Sequence, residues 1–299
     1  MAMKTALGMD IGGSHVTAAL VDLERRAVIE ASRAHRAVDP NASAEELLAA
    51  WAGAGLDAVR GMAGRVLVLH AGVGMPGPFE YAAGISRLTH KFAALYGMNV
   101  GAALQERWAR GAPSAMDGMP VFFANDAAVW ALGEAWAAKP VGLGAARVIG
   151  ITLGTGLGSG FIENGRIIAQ GDAVPPGGEI WNTPFRGGIA EDYAAGRVIV
   201  QLYREKCGLE LSAEQIAGRA LSGDEQARAA FETLGANLAE IMAPWVARFE
   251  PDCLVVGGSI AHAWDLFHPA LEAGLPGLDC QVTTRFEASS LLGGAVLGL

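Results

Sequence analysis

Two glycine-rich loops, each with a hydroxyl residue, are the features of this sequence best suited to phosphate chemistry. They close the apolar runs LGMDIGGS (residues 7–14) and ITLGTGLGSG (residues 151–160). Glycines let backbone N–H groups come close to phosphate oxygens because no side chain intervenes. The dipeptide Asn125-Asp126 lies between the two loops. Two such loops in separate halves, with a carboxylate between them, predict a nucleotide bound across a cleft.

The first loop contributes Gly12, Gly13 and Ser14 as candidate nucleotide-binding residues, with Asp10 at the end of the preceding strand. A carboxylate at that place can hold a Mg²⁺ ion through a bound water. The alternative is an aspartate that accepts hydrogen bonds from turn N–H groups. The presence of a second phosphate loop favours the magnesium role.

The second loop contributes Gly154, Thr155 and Gly156, although one such loop by itself is also a plain tight turn. Gly257-Gly258 follows another apolar run and is a weaker candidate. These two glycines either make room for adenine and ribose or allow a strand and a helix to pack closely.

Asp126 has two interpretations. It is a candidate general base for a substrate hydroxyl, but aspartate is also among the best residues for capping the N-terminus of a helix. The apolar residues at 129, 132 and 136 give the following segment helical spacing. From the spacing alone the cap is favoured, although a capping carboxylate can keep one oxygen free.

The stretch at residues 171–189 is rich in glycine and proline and long for a structureless connection, which suggests a functional segment. Glu179, Asn182 and Glu191 lie in or beside it, and sugar hydroxyls could donate hydrogen bonds to the two carboxylates. Solvation at the surface is the alternative for both glutamates. Trp181 could line a ligand site, whereas the other tryptophans fall on helical stretches and are expected in the core.

The predicted elements alternate between strands and helices. Strands are expected at residues 6–11, 16–22, 66–73, 121–124, 147–153, 160–162, 166–169 and 253–256, and helices at residues 45–62, 226–249, 264–271 and 288–299 and after Asp126. Each glycine loop is followed by a strand, so it is a hairpin tip. Rossmann and P-loop motifs need a helix directly after their glycines and are therefore disfavoured. The sequence predicts an α/β protein.

Composition restricts the function classes. The 299 residues suffice for two domains, and their net charge is -9. This acidic balance argues against a nucleic-acid or membrane-surface partner, since both need a basic face. No apolar run predicts a membrane span, no signal peptide is expected, and the three scattered cysteines predict neither disulfides nor a zinc site. A cytoplasmic protein is expected.

Taken together, these motifs resemble the ROK family of bacterial sugar kinases, in the actin/Hsp70/hexokinase superfamily. The matching pieces are, in order, MDIGGS, GVGMPGP, FFANDAAVWALGE, ITLGTGLGSGFIENG, GGEI, GGIAEDYAAGR and PDCLVVGGSI. The resemblance implies two ribonuclease-H-like (actin-like ATPase) domains that close over ATP, Mg²⁺ and a sugar, and it favours a homodimer. We expect the domains at residues 1–120 and 121–287, with helix 288–299 packing back on the first.

In ROK kinases the aspartate of the Asn-Asp pair activates the sugar hydroxyl, so the resemblance implies that Asp126 is the general base. The implied substrate-binding residues are Asn125, Glu179, Asn182, Glu191 and Gly77. The predicted function is ATP-dependent phosphorylation of a hexose or hexose derivative, of the glucokinase type. Polyphosphate stays open as an alternative donor, and a non-catalytic sugar sensor is the alternative function.

The sequence departs from the family where ROK kinases hold a structural zinc through one histidine and three cysteines. Asn182 stands at the position of the histidine, and Ile189 at that of the last cysteine. No zinc is therefore expected. Because this segment shapes the sugar pocket in the family, the sequence does not name the sugar.

Overall fold

The computed structural model describes residues 3–62, 65–111, 116–137 and 146–299. The chain forms two compact units, one of Met1–Gly142 with Glu287–Leu299 and one of Leu143–Phe286. The strands in the described residues are β1 Met3–Ile11, β2 His15–Asp22, β3 Ala27–Val28, β4 Ala34–Ala37, β5 Val66–Met75, β6 Phe79–Glu80, β7 Ile85–Ser86, β8 Val121–Asn125, β9 Arg147–Leu153, β10 Leu157–Glu163, β11 Arg166–Ile167, β12 Pro184–Phe185, β13 Gly188–Ile189, β14 Cys253–Gly257 and β15 Asp279–Val282. The α-helices there are α1 Ala44–Arg60, α2 Val100–Gly111, α3 Asp126–Ala137, α4 Gly196–Cys207, α5 Ala213–Leu221, α6 Glu225–Phe249, α7 Trp264–Gly274 and α8 Glu287–Val296.

The first unit is built on a sheet in the order β3-β2-β1-β5-β8, with β4 also paired to β2. β1 and β2 form an antiparallel hairpin, whereas β1, β5 and β8 run parallel. Helix α1 begins at a capping box of Ser43 and Glu46 and buries Leu47 and Trp51 in the core of this unit. The carboxyl ends of the three parallel strands meet at one edge of the sheet.

The C-terminal helix α8 packs on strands β1 and β5 of the first unit at positions occupied by glycines. A Cβ atom on Gly8 would lie 2.0 Å from the backbone oxygen of Leu291, and one on Gly72 would lie 1.8 Å from that of Gly294. Neither distance leaves room for a side chain. The small residues of β1, β5 and α8 therefore permit this close backbone approach.

The boundary expected near residue 120 does not match this division. Strand β8 pairs in parallel with β5 over Ala71↔Val121 to Met75↔Asn125, and α3 follows it in the first unit. The pairing partner of β8 lies far back in the sequence, which composition around residue 120 does not reveal. Part of the stretch used for that boundary, residues 112–115, lies outside the described residues.

The second unit repeats the plan of the first. Its sheet has the order β11-β10-β9-β14-β15, in which β9 and β10 form an antiparallel hairpin and β9, β14 and β15 run parallel. The Asn164-Gly165 turn joins β10 to β11 with both residues at positive φ, as this dipeptide predicts. Phe161, Phe231 and Phe267 are buried in its core.

The stretch at residues 171–189 is ordered rather than structureless. It contains a 3-10 turn at Pro176–Gly178 and strands β12 and β13, which pair with each other. No helix in the described part of the chain is both long and apolar enough to span a bilayer.

Candidate active site

The first glycine loop (residues 12–14) is the tip of the β1–β2 hairpin. The N–H of Gly12 donates to the backbone carbonyl of His15 at 2.9 Å, which closes the turn. Gly13 and Ser14 lie exposed beyond it. Because the N–H of Gly12 is used inside the hairpin, Gly13 and Ser14 are the residues of this loop suited to bind phosphate through backbone N–H groups.

His15, a residue that the sequence left unassigned, lies against this loop. A Cβ atom on Gly12 would stand 2.9 Å from Cε1 of His15, so Gly12 leaves room for the imidazole ring. The ring stacks on His35 with centroids 5.1 Å apart, and Nδ1 of His35 lies 3.2 Å from Oγ1 of Thr17. The spacing within the first hairpin could not reveal this contact, because His35 comes from β4.

Asp10 and Asp126 lie at the same edge of the first sheet. Asp10 is in register with Gly74 of β5, and Gly74 is in register with Ala124 of β8. A Cβ atom on Gly74 would be 3.5 Å from Oδ1 of Asp10 and 3.5 Å from Cα of Asp126. The structure therefore brings these two predicted site residues together on either side of one glycine.

Asn125 caps α3. Its Oδ1 accepts hydrogen bonds from the N–H groups of Ala127 at 3.0 Å and Ala128 at 3.2 Å. The expectation that Asp126 is the cap was wrong, because the preceding amide already satisfies the first-turn N–H groups. Oδ1 of Asp126 accepts from Ala127 N–H at 2.9 Å, and no hydrogen bond within the described residues reaches its Oδ2.

Asp10 is hard to ionise in this environment. Burial, followed by the negative charges of Asp126 and Glu287, raises the pKa of Asp10 to about 7, while a hydrogen bond with Ser290 lowers it. A half-buried carboxylate near two others is a place where a cation would bind favourably.

Burial also raises the pKa of Asp126, whereas the Ala127 N–H and the positive charge of Lys91 lower it. Lys91 is half-buried and precedes Phe92, whose buried ring meets Trp51 edge-on with centroids 5.2 Å apart. Lys91 was not identified from the sequence, since a single lysine in a loop follows no pattern. Its charge favours the ionised form that a general base needs.

Gly77 lies two residues beyond the end of β5 and is half-buried, and its peptide bond to Pro78 is cis. Strand β5 is the one that carries Gly74 between the two carboxylates. Gly77 therefore belongs to the loop that leaves the same sheet edge.

The second glycine loop (residues 154–156) has the same hairpin form. Gly154 N–H donates to the carbonyl of Gly156 at 3.0 Å, and the carbonyl of Gly154 accepts from Gly196 N–H, at the start of α4, at 2.8 Å. Thr155 is exposed at the tip. The start of α4, which the sequence did not indicate, therefore anchors this loop.

Gly257-Gly258 lies beside the second glycine loop. Gly258 has φ +83°, and a Cβ atom on it would lie 2.3 Å from the carbonyl oxygen of Leu153. The position of a Cβ on Gly154 is 3.6 Å from Oγ of Ser259. The structure thus brings together the two glycine segments that the sequence assigned to the nucleotide, and adds Ser259.

Glu191 supports the second glycine loop. Its Oε2 accepts from Leu157 N–H at 2.9 Å, and its Oε1 accepts from Nη1 of Arg197 at 3.0 Å. A Cβ atom on Gly156 would lie 2.4 Å from Oε2 of Glu191. This predicted sugar ligand is therefore already bound to the protein through both oxygens.

Glu179 and Asn182 take no part in the hydrogen bonds of the Glu191 carboxylate described above. Oε2 of Glu179 accepts from the indole N–H of Trp181 at 2.9 Å, and Asn182 is exposed. The backbone N–H of Glu191 donates to the carbonyl of Trp181 at 3.0 Å. This bond joins the two ends of the segment that carries Asn182.

Metal-binding side chains do not cluster in the part of the chain that the structure describes. The described residues contain no cluster of three or more histidine, cysteine, aspartate or glutamate side chains arranged to hold a metal ion. The pair Asp10 and Asp126 is the carboxylate arrangement suited to a hydrated divalent cation, which retains several of its waters.

Two units of this topology, each with a glycine loop at a hairpin tip, define the actin-like ATPase fold. The chain belongs to the ROK family, whose sequence profile matches residues 6–277.

Relatives of the chain agree with this assignment. An N-acetyl-D-glucosamine kinase of Salmonella heidelberg is 30% identical over 279 residues, covering 85% of this chain and 84% of that protein. The ROK hexokinase structure from Thermus thermophilus matches with a TM-score of 0.78 and 23% identity, over 98% of this chain and 97% of the other. A ROK glucokinase from Streptomyces griseus, solved with glucose and AMPPNP, matches with a TM-score of 0.74 and 21% identity, over 97% and 98% of the two chains.

Proposed function

We propose that this protein is a sugar kinase that transfers a phosphoryl group from ATP to a hydroxyl of a hexose or hexose derivative. The proposal rests on the hydrogen bonding of Asp126. Asn125 takes the helix-capping role, so Asp126 keeps one carboxylate oxygen available at the sheet edge, beside Asp10. Membership of the ROK family and the kinase names of its relatives support the reaction class.

Asp126 acts as the general base in this proposal. Its Oδ2 accepts the proton of the sugar hydroxyl while the sugar oxygen attacks the terminal phosphorus of ATP. The bond from that phosphorus to the bridging oxygen breaks, and ADP leaves. The positive charge of Lys91 favours the ionised form of Asp126 and so opposes burial, which raises the pKa of this carboxyl overall. Phosphoryl transfer depends mainly on alignment and charge neutralisation. One positioned base is therefore enough for the protein to supply to the proton transfer.

Asp10 would hold the hydrated Mg²⁺ ion, whose charge would offset the burial and the neighbouring carboxylates that raise the pKa of Asp10. When bound, the ion supplies charge neutralisation on the phosphates. The nucleotide phosphates would bind backbone N–H groups of the two glycine loops, and Gly257-Gly258 would lie beside the nucleoside. No zinc is expected, which elemental analysis can check.

The candidate sugar ligands are those named from the sequence: Asn125, Glu179, Asn182, Glu191 and Gly77. The names of the relatives favour a glucose-type or N-acetylated amino sugar as the acceptor. An ADP-release assay against hexoses and N-acetylhexosamines, with ATP and with polyphosphate as donor, tests the reaction. Calorimetric binding of a sugar without ADP release would favour the alternative of a non-catalytic sugar sensor.

Asp126→Asn is expected to lower turnover by roughly 10²–10⁴-fold, the usual contribution of a general base, while sugar affinity changes little. Asp265→Asn, at an exposed position in the first turn of α7, is the matched control and should keep parental activity. Near-parental turnover of Asp126→Asn would refute the assignment of the base.

A further inference from the structure

The segment between Trp181 and Glu191, here the 181–191 hairpin, carries candidate sugar-binding residues at its base. Strands β12 and β13 form the part of the hairpin next to its tip. Nearer its base, Ala190 N–H donates to the carbonyl of Thr183 at 2.9 Å, and Glu191 N–H donates to that of Trp181 at 3.0 Å. This ladder fixes Asn182 relative to Glu191, so a movement of the hairpin moves both residues.

The tip of the 181–191 hairpin has a strained backbone. Arg186 has φ +43°, and Gly187 has φ +86°. This left-handed region suits glycine but is unfavourable for arginine, so a residue such as Arg186 stays there only where its contacts hold it.

Three hydrogen bonds form a closed circuit through Arg186. Its Nη1 donates to Oδ1 of Asn237 at 2.9 Å, and Nδ2 of Asn237 donates to the carbonyl of Tyr193 at 3.1 Å. The hydroxyl of Tyr193 then donates to the carbonyl of Arg186 at 2.9 Å. Asn237, on α6, is only 5% exposed, so loss of Arg186 leaves a buried amide oxygen without this partner.

The ion pair between Arg186 and Glu240 contributes less to this anchoring. Its two side chains are 48% and 54% exposed, and solvent screens such pairs. The guanidinium also lies 4.8 Å from the ring centroid of Phe185, which meets Tyr193 edge-on. The circuit through buried Asn237 is therefore the main attachment of the hairpin to α6.

We propose that Arg186 is a positioning residue for sugar binding. Through its circuit with Asn237 and Tyr193 it holds the base of the 181–191 hairpin, and with it Asn182, in the arrangement that receives the sugar. The inference rests on the proposed function. It requires no contact between Arg186 and the substrate.

Steady-state kinetics of three variants of the full chain test this role. Arg186→Gln removes the guanidinium, and Tyr193→Phe removes one bond of the circuit while keeping the ring. In both we expect KM for the sugar to rise about tenfold, as loss of one hydrogen bond with a buried or charged partner implies, with kcat and KM for ATP unchanged. Glu240→Gln is the matched control and should leave all three constants unchanged.

A merely stabilising Arg186 would give a lower Tm with no change in KM for the sugar, and that result would overturn the proposal. Equal rises of KM for the sugar and for ATP would also overturn it. If the parent protein releases no ADP with any sugar, the proposed function fails separately. Hydrogen–deuterium exchange then still measures the anchor: faster exchange confined to residues 181–191 in Arg186→Gln supports it, and unchanged exchange there contradicts it.

Discussion

The two glycine loops have the same local form, but the carboxylates beside them are in different environments. Each joins an antiparallel hairpin, carries one exposed hydroxyl residue, and uses the first glycine N–H inside the turn. Beside the first loop, Asp10 is half-buried near other carboxylates, and its pKa is raised to about 7. Beside the second, Glu191 accepts hydrogen bonds from Leu157 N–H and from Arg197.

This difference separates two uses of a carboxylate. Glu191 is satisfied by the protein, so it builds the loop that it touches. Asp10 and Asp126 are half-buried, and burial raises the pKa of both carboxyls, which destabilises their charged forms until a cation or a reacting proton arrives. The first unit therefore loses stability at the carboxylates where the chemistry is proposed, whereas the second uses its carboxylate to hold a loop.

The largest expected effect concerns the stability cost of Asp10. Its pKa is about 7 in the folded protein and near 3.8 in the unfolded chain. Between these values the folded state holds a proton that the unfolded state has lost, so stability falls as pH rises from about 4 to about 7. In Mg²⁺-free protein, Asp10→Asn removes this loss and should be more stable than the parent at pH 8 by a few kcal/mol, at about 1.4 kcal/mol per pKa unit.

Urea unfolding of parent and Asp10→Asn at pH 8 and pH 5, in chelator, measures this difference. The advantage of the variant should shrink at the lower pH, while kinase activity is lost. Asp265→Asn serves as the exposed control and should show neither effect. An Asp10→Asn variant less stable than the parent at pH 8 would show that Asp10 is as well satisfied as Glu191, and the contrast would disappear.

The second effect concerns the contact between Glu191 and its loop. A Cβ atom on Gly156 would lie 2.4 Å from Oε2 of Glu191, whereas one on Gly13 meets nothing within 4 Å. Gly156→Ala should therefore displace the carboxylate from Leu157 N–H, and the lost hydrogen bond should cost roughly 0.5–1.5 kcal/mol in unfolding free energy. Gly13→Ala is the matched control, with little expected change.

Urea unfolding of both glycine variants checks this prediction. Equal stabilities would mean that the support of Glu191 for the second loop is easily rearranged. A larger loss for Gly13→Ala would reverse the comparison between the loops.

Local sequence patterns were sufficient for much of the fold. Apolar runs ending in glycines located both hairpins, because strand period and turn chemistry are short-range properties. The shared edge that holds Asp10 and Asp126 was not predicted, because it depends on the pairing of β8 with β5. Family resemblance, rather than spacing, supplied the proposed role of Asp126.

The parts of the candidate site that the sequence did not predict depend on contacts between residues far apart in the sequence, or on which of two adjacent residues begins a helix. His15 meets His35 from another strand, and Arg186 meets Asn237 about fifty positions later, so neither contact has a local signal. Asn125 and Asp126 are both good helix caps, and only the observed start of α3 decides between them. The same limitation explains the missed pairing of β8 with β5.

The smallest expected effect concerns the exposed ion pair that completes the support of Glu191. Arg197 is 48% exposed, and it bonds both Glu191 and Asp192. Solvent screening limits such pairs, so Arg197→Gln should lower the unfolding free energy by only roughly 0.2–1 kcal/mol, less so in high salt. Arg204→Gln, which removes the exposed pair with Glu210 from the same helix, is the matched control in urea unfolding. Because Leu157 N–H still holds Oε2 of Glu191, the second loop should keep its form without the arginine. A loss of several kcal/mol would instead mean that Glu191 depends on a cation, as we propose for Asp10, and that the two loops differ only in which cation each receives.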